Sequence, residues 1–311
     1  MGGTTRSAVD WGAYSSSTAT KSTTFASSGY AKSARAGVKD EYHPKNIKVR
    51  ESRNSAANPN STPVIVAMDC TGSMQDLAVS MLKNVGTLMK EIYERLPITD
   101  PHIMAMFFDD VITTGGDALQ ATQFESDMII IDQLQDLKFQ GQGGGNASES
   151  SGLPLHFAVN KCECDAFADG RKGFLFIIGD DGVPPALTVN QLKAVYGNDF
   201  EVNEDVSFET LLEQAEENWH VFSIIPTRGR ADRFESSHIG TTWKKVLGER
   251  TIFLEDIEKL AEVLVATMQV IAGADKLAVA ASFDDPGTSL VVAKAIKDLT
   301  PTSHGGGVVR V

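Results

Sequence analysis

Side-chain oxygen is concentrated in three short stretches of this chain in a way that suits a divalent cation. Asp69, Thr71 and Ser73 occupy alternate positions in Asp69-Cys70-Thr71-Gly72-Ser73-Met74. At that spacing one carboxylate and two hydroxyls can converge on a single point, and all three are hard donors of the kind Mg²⁺ takes, unlike the nitrogen and sulfur of a zinc site. A second acidic turn reads Gly179-Asp180-Asp181-Gly182-Val183-Pro184-Pro185, and carboxylates aimed there toward Asp69 repel unless a cation lies among them. Between the two, residues 140–152 read Gln-Gly-Gln-Gly-Gly-Gly-Asn-Ala-Ser-Glu-Ser-Ser-Gly, a polar loop in which Asn146, Ser148 and Glu149 can add oxygen. The competing local reading is that Asp69 and Asp181 only cap helices, accepting hydrogen bonds from free backbone N–H groups.

These loops need elements to hold them. Val64-Ile65-Val66-Ala67-Met68 is a continuous apolar run rich in β-branched residues, the pattern of a strand buried on both faces of a parallel sheet. After the Asp69 loop, Leu77, Met81, Leu82, Val85, Leu88, Met89, Ile92 and Leu96 recur at helical spacing down to Pro97. Further apolar runs at 103–108, 174–178, 220–225 and 251–254 alternate with helical patterns near 126–138, 152–162, 188–196, 207–218 and 256–271. That alternation predicts an α/β fold with a doubly wound, mostly parallel sheet, and residues 113–124 leave room for one short antiparallel edge strand. In such a sheet the loops at the carboxyl ends of the strands form the ligand crevice, and all three oxygen-rich loops fall there.

With its buried strand before and helix after, Asp69-Cys70-Thr71-Gly72-Ser73 resembles the Asp-x-Ser/Thr-x-Ser signature of the metal-ion-dependent adhesion site in von Willebrand factor type A domains, of the prokaryotic intracellular type. The resemblance covers roughly residues 61–273 and implies a Rossmann-like fold. It implies a metal set of Asp69, Thr71, Ser73, Asn146 and Asp181 holding Mg²⁺, or Mn²⁺ or Ca²⁺ in its place. Asn146 is placed by alignment to the glycines, where the family commonly has Thr, with Ser148 and Glu149 as the other candidates. The function it implies is not catalysis but capture of a partner protein's acidic residue, in intracellular members often within assemblies with AAA+ ATPases or other large complexes. Two alternatives stay open. The Asp69 loop also resembles that of haloacid-dehalogenase-type phosphohydrolases, with Asp69 as nucleophile, although Thr71 stands where most of those enzymes carry a second Asp. The other alternative is a self-assembling structural protein that uses its N-terminal arm.

Charge and composition bound these readings. The chain has 311 residues, 42% hydrophobic and 22% charged, with a formal charge of −13, which excludes disordered, collagenous and disulfide-scaffold classes. Residues 1–60 carry nine basic and four acidic side chains, net +5, so the remaining 251 carry −18. Fourteen of the first 36 residues are Ser or Thr, too little apolar surface to offset ordering entropy, and 1–60 is expected to be a flexible basic arm. The acidic body argues against nucleic acid as a partner. Three cysteines, Cys70, Cys162 and Cys164, point to a reducing compartment, and no targeting signal or membrane-length apolar segment is seen; a cytoplasmic location is the expectation. Cys70 is expected in the core, and Cys162 and Cys164 at a helix end. Residues 274–311 are expected to form a C-terminal extension with one short helix near 290–299 and a loose end from 302.

Overall fold

The computed structural model describes residues 37–95, 97–127, 129–139, 141 and 149–301. Ten strands lie among them: β1 (Arg50–Ser52), β2 (Thr62–Asp69), β3 (Pro101–Phe108), β4 (Leu119–Ala121), β5 (Cys162–Cys164), β6 (Gly173–Ile178), β7 (Ala186–Leu187), β8 (Val206–Ser207), β9 (Trp219–Pro226) and β10 (Thr251–Leu254). Six make the main sheet, in the order β10-β9-β6-β2-β3-β4. All its pairings are parallel except that of β4, which runs antiparallel to β3 with Phe107 opposite Gln120. This is the doubly wound, Rossmann-like architecture with an antiparallel edge strand that the type A resemblance implies.

The apolar run of β2 explains its place. All eight of its residues are buried, and it is flanked by β3 and β6. Successive strand side chains point to opposite faces, so Val64, Val66 and Met68 enter one core with Leu88, Ile92, Val263 and Leu264, while Ile65 and Ala67 enter a second with Leu153, Leu155, Leu192 and Leu211. Full burial of each large apolar side chain contributes about 1.5–3 kcal/mol. The helices Gln75–Arg95 and Leu260–Ile271 supply the first core; Gly152–Asn160, Val189–Tyr196, Phe208–Asn218 and His238–Leu247 supply the second. At the start of β6 only glycine fits: a Cβ on Gly173 would lie 2.6 Å from the Trp219 ring and 2.7 Å from the Pro63 carbonyl oxygen.

Three regions differ from the sequence expectation. Residues 37–60, placed in the arm, lie on the domain. Tyr42 is buried in one core and Ile47 in the other, β1 pairs in parallel with β5, and Arg53 faces the carboxylates of Glu51, Glu163 and Asp165. Residues 1–36, which hold most of the Ser and Thr of that segment, lie outside the described residues. Cys162 and Cys164, expected at a helix end, form β5 after the helix stops at Asn160. The expected single C-terminal helix is two, Lys276–Ala281 and Pro286–Ala295, capped by Asp275 and Asp285. Val279 and Val292 from these helices, with Phe283, Ile296 and Leu299 from the turns that follow them, extend the first core past residue 273. The expected loose end from 302 lies outside the described residues. Among the described residues no helix is long and apolar enough to cross a membrane.

Candidate metal centre

Asp69 is the last residue of β2 and is 1% exposed. Its Oδ1 accepts the Thr71 N–H at 2.7 Å, and the Thr71 hydroxyl also bonds its carboxyl. The loop then turns through a short 3₁₀ segment, Gly72–Met74, into the helix Gln75–Arg95. Thr71 precedes that segment without a capping hydrogen bond from its side chain. Its Oγ1 lies 3.3 Å from the Ser73 Oγ instead, so the two hydroxyls converge as the alternate spacing predicts. Cys70, between them, points into the first core as expected. Its backbone N–H is taken by Phe108 and its carbonyl accepts the N–H of Gly141, tying the first loop to the start of the glycine-rich one.

β6 delivers the second acidic turn beside the first loop. A Cβ on Gly179 would stand 3.2 Å from that of Asp69, so the strand ends approach closely. Ser73 Oγ donates to Asp180 Oδ1 at 2.9 Å, a contact for the neighbour of the residue chosen from sequence. Asp181 is held differently. Its carbonyl accepts the Trp243 indole N–H at 2.8 Å, and its carboxyl is hydrogen-bonded to that of Glu149. Glu149 also bonds the Asp69 carboxyl, which links the three loops through side chains. Asn146 and Ser148 lie outside the described residues.

Burial is the leading influence on all three carboxyls. It raises Glu149 far above the usual carboxylate range, with Asp69 and Asp181 adding to the effect, and it raises Asp69 and Asp181 as well, against the hydrogen bonds each receives from Glu149. Among the described residues no three His, Cys, Asp or Glu side chains stand as a ready-made metal cluster. The set is mixed, with two hydroxyls completing it. It fits a hard divalent cation on its donor chemistry and on one orphan: Glu149 Oε2 is buried and finds no hydrogen-bond partner among the described residues.

Two further groups were missed by the sequence reading. Asp109 and Asp110 directly follow β3 at the same edge of the sheet, with Asp110 raising the carboxyl of Asp181 through its charge; the rule that singled out Asp69, a carboxylate at the end of an apolar run, applies to them too. Arg228 follows β9 in the left-handed region at φ 50°. It grips Asp76 with two nitrogens at 2.8 and 3.1 Å, donates to the Ser73 carbonyl at 2.8 Å and stands 3.8 Å from Asp180. Beside it a cleft of about 620 Å³ is lined by Gly72, Ser73, Gln75, Asp76, Ile257 and Glu258. No local pattern marks Arg228, because Ser73 and Asp76, which it holds by hydrogen bonds, are more than 150 residues away in sequence.

No family model and no curated protein matches the chain. Solved structures similar to it include the open conformation of the pilus adhesin SpaC from Lactobacillus rhamnosus GG, at 11% identity over 71% of this chain and 31% of that one, TM-score 0.48. Proximal thread matrix protein 1 of the mussel byssus is similar at 13% identity over 68% and 48%, TM-score 0.44. A von Willebrand factor type A structure from Catenulispora acidiphila is similar at 12% over 74% and 47%, TM-score 0.37. The chain therefore spans about a third to a half of the length of these proteins.

Proposed function

We propose that this protein is a non-catalytic, metal-dependent protein-binding module that holds Mg²⁺, or Mn²⁺ or Ca²⁺, at the ends of β2 and β6. The observation that carries the reading is the convergence of the Asp69 loop and the second acidic turn at one edge of a parallel sheet, with the Thr71 and Ser73 hydroxyls 3.3 Å apart beside buried Asp69 and the Ser73 hydroxyl on Asp180. Asp69, Thr71, Ser73 and Asp181 would hold the ion; when bound, it supplies positive charge for an acidic side chain of a partner. The chain's own part is to keep those oxygens converged: the Thr71 N–H orients Asp69, and Arg228 ties Ser73 and Asp76 to the end of β9. Asp69, at 1% exposure and bound by Thr71, has the disposition of a ligand rather than of a nucleophile that must meet a phosphoryl group in line.

The partner class is a protein presenting an exposed Asp or Glu, with an AAA+ ATPase or another large complex as the kind the type A resemblance implies. A reducing, cytoplasmic setting is part of this reading, and Cys70, Cys162 and Cys164 are in no disulfide. Isothermal titration of the full chain with Mg²⁺ tests the reading, together with binding of Asp- and Glu-bearing peptides. One metal site, and peptide binding lost alike in Asp69→Ala and in chelator, is the expected result; peptide binding indifferent to both would overturn it.

A further inference from the structure

The two C-terminal helices, Lys276–Ala281 and Pro286–Ala295, pack on each other and carry apolar side chains on both their inner and outer sides. Val279 and Val292 face inward and are buried. With about 100° between successive residues, a side chain two positions earlier lies ~200° around the helix from each of them. Leu277 and Leu290 hold those positions, and they are 75% and 57% exposed. Ala278, Ala281, Pro286 and Gly287 are exposed as well. The charged residues within the two helices are Lys276 and Lys294 alone. An outward apolar surface of this kind marks a place where something docks.

The path of the chain beyond these helices says what is within reach. Lys276 Nζ donates to the carbonyls of Lys297 and Leu299, so the residues just before 302 are bound beside the helix that carries Leu277. Residues 302–311, outside the described residues, read Thr-Ser-His-Gly-Gly-Gly-Val-Val-Arg-Val. The seven residues from Pro301 to Val308 can extend over up to ~25 Å, whereas Pro286–Ala295 is ~15 Å long. Three glycines permit the reversal of direction that a return to the helices requires. Val308, Val309 and Val311 then offer apolar side chains, and Arg310 a positive charge. Asp284 and Asp298, exposed on the same unit, offer the opposite charge.

We propose that residues 308–311 dock on the outward surface of these two helices in their own chain, with the valines against Leu277 and Leu290 and Arg310 toward Asp284 or Asp298. A tether this short holds the segment at an effective concentration on the order of millimolar. A second copy of the chain matches that only when the protein itself is as concentrated. The docked segment clasps the end of the fold, over the helices that extend the first core.

Methyl-labelled full-length protein tests this by nuclear Overhauser spectroscopy. Cross-peaks from the Leu277 and Leu290 methyls to valine methyls of residues 308–311 are expected, with relative intensities unchanged on dilution. Leu277→Ser alters an exposed side chain and Val309→Ser alters the segment alone, so neither disturbs the core. The Leu277 substitution should abolish the remaining cross-peaks between Leu290 and the segment, and the Val309 substitution those from both leucines. Cross-peaks absent from the parent protein, or persisting undiminished in both variants, overturn the inference. Cross-peaks that fade on dilution, or arise between differently labelled copies in a mixed sample, overturn it too and assign the surface to a second copy.

Discussion

The helix Gly152–Asn160 begins three residues after Glu149, and how firmly it is seated can be tested through His156. This side chain is 5% exposed, its Nδ1 has no hydrogen-bond partner among the described residues, and its ring lies 4.9 Å from that of Tyr196 and 5.6 Å from that of Phe200. Burial, helped by the nearby charge of Lys161, pushes its pKa down from 6.5 to about 4. The unfolded chain therefore takes up a proton near pH 6.5, whereas the folded chain does so only near pH 4. The stability this histidine contributes is complete above pH 6.5 and is lost as pH falls through that window. At about 1.4 kcal/mol per pH unit the loss amounts to about 3 kcal/mol by pH 4. Urea denaturation of the parent protein and His156→Leu, repeated from pH 7.5 to pH 4, isolates the effect, because the other titrating groups are common to both. The stability difference between them should move in favour of the variant by about 3 kcal/mol from pH 6.5 downward. A difference that stays constant across that range would refute the reasoning and show that His156 is hydrated or paired in solution.

Ser73→Ala removes one oxygen and no core volume, so Mg²⁺ affinity should fall while thermal unfolding stays within about 0.5 kcal/mol of the parent; Asp181→Ala should also weaken Mg²⁺, and titration calorimetry reads both. Gly173→Ala forces a Cβ against Trp219 and the Pro63 carbonyl and should cost about 1–3 kcal/mol by urea denaturation, the parent value being the result against it. Arg228→Gly relieves a left-handed residue and removes its hold on Ser73 and Asp76. Global stability should change by less than about 1 kcal/mol while hydrogen exchange at residues 72–76 accelerates, and unchanged exchange there would deny Arg228 its positioning role.

The sheet was legible in the sequence because its signal is local. The run 64–68 is apolar at every position, which only a strand buried on both faces accommodates, and β2 lies between β3 and β6. β1 and β5 were not legible: a three-residue parallel pairing of Arg50–Ser52 with Cys162–Cys164 joins segments about 110 residues apart and depends on where Tyr42 and Ile47 find apolar slots. Within the site, Asp69, Thr71 and Ser73 follow from a strand, a turn and a helix in succession. The two carboxylates of the second turn did not separate by pattern, and they take different roles, Asp180 bonding Ser73 and Asp181 bonding Glu149. In the glycine-rich loop spacing gives no period to read, so alignment to the glycines favours Asn146 over Ser148 and Glu149, and the burial of Glu149 has no local signal.

The central claim is that a divalent ion is held where the ends of β2 and β6 meet. Anomalous diffraction from crystals of the protein grown with Mn²⁺ tests it most directly. The account predicts one strong peak with oxygens of Thr71, Ser73 and the surrounding carboxylates at about 2–2.6 Å. Crystals at saturating Mn²⁺ with no peak among Asp69, Thr71, Ser73, Glu149 and Asp181 would contradict it.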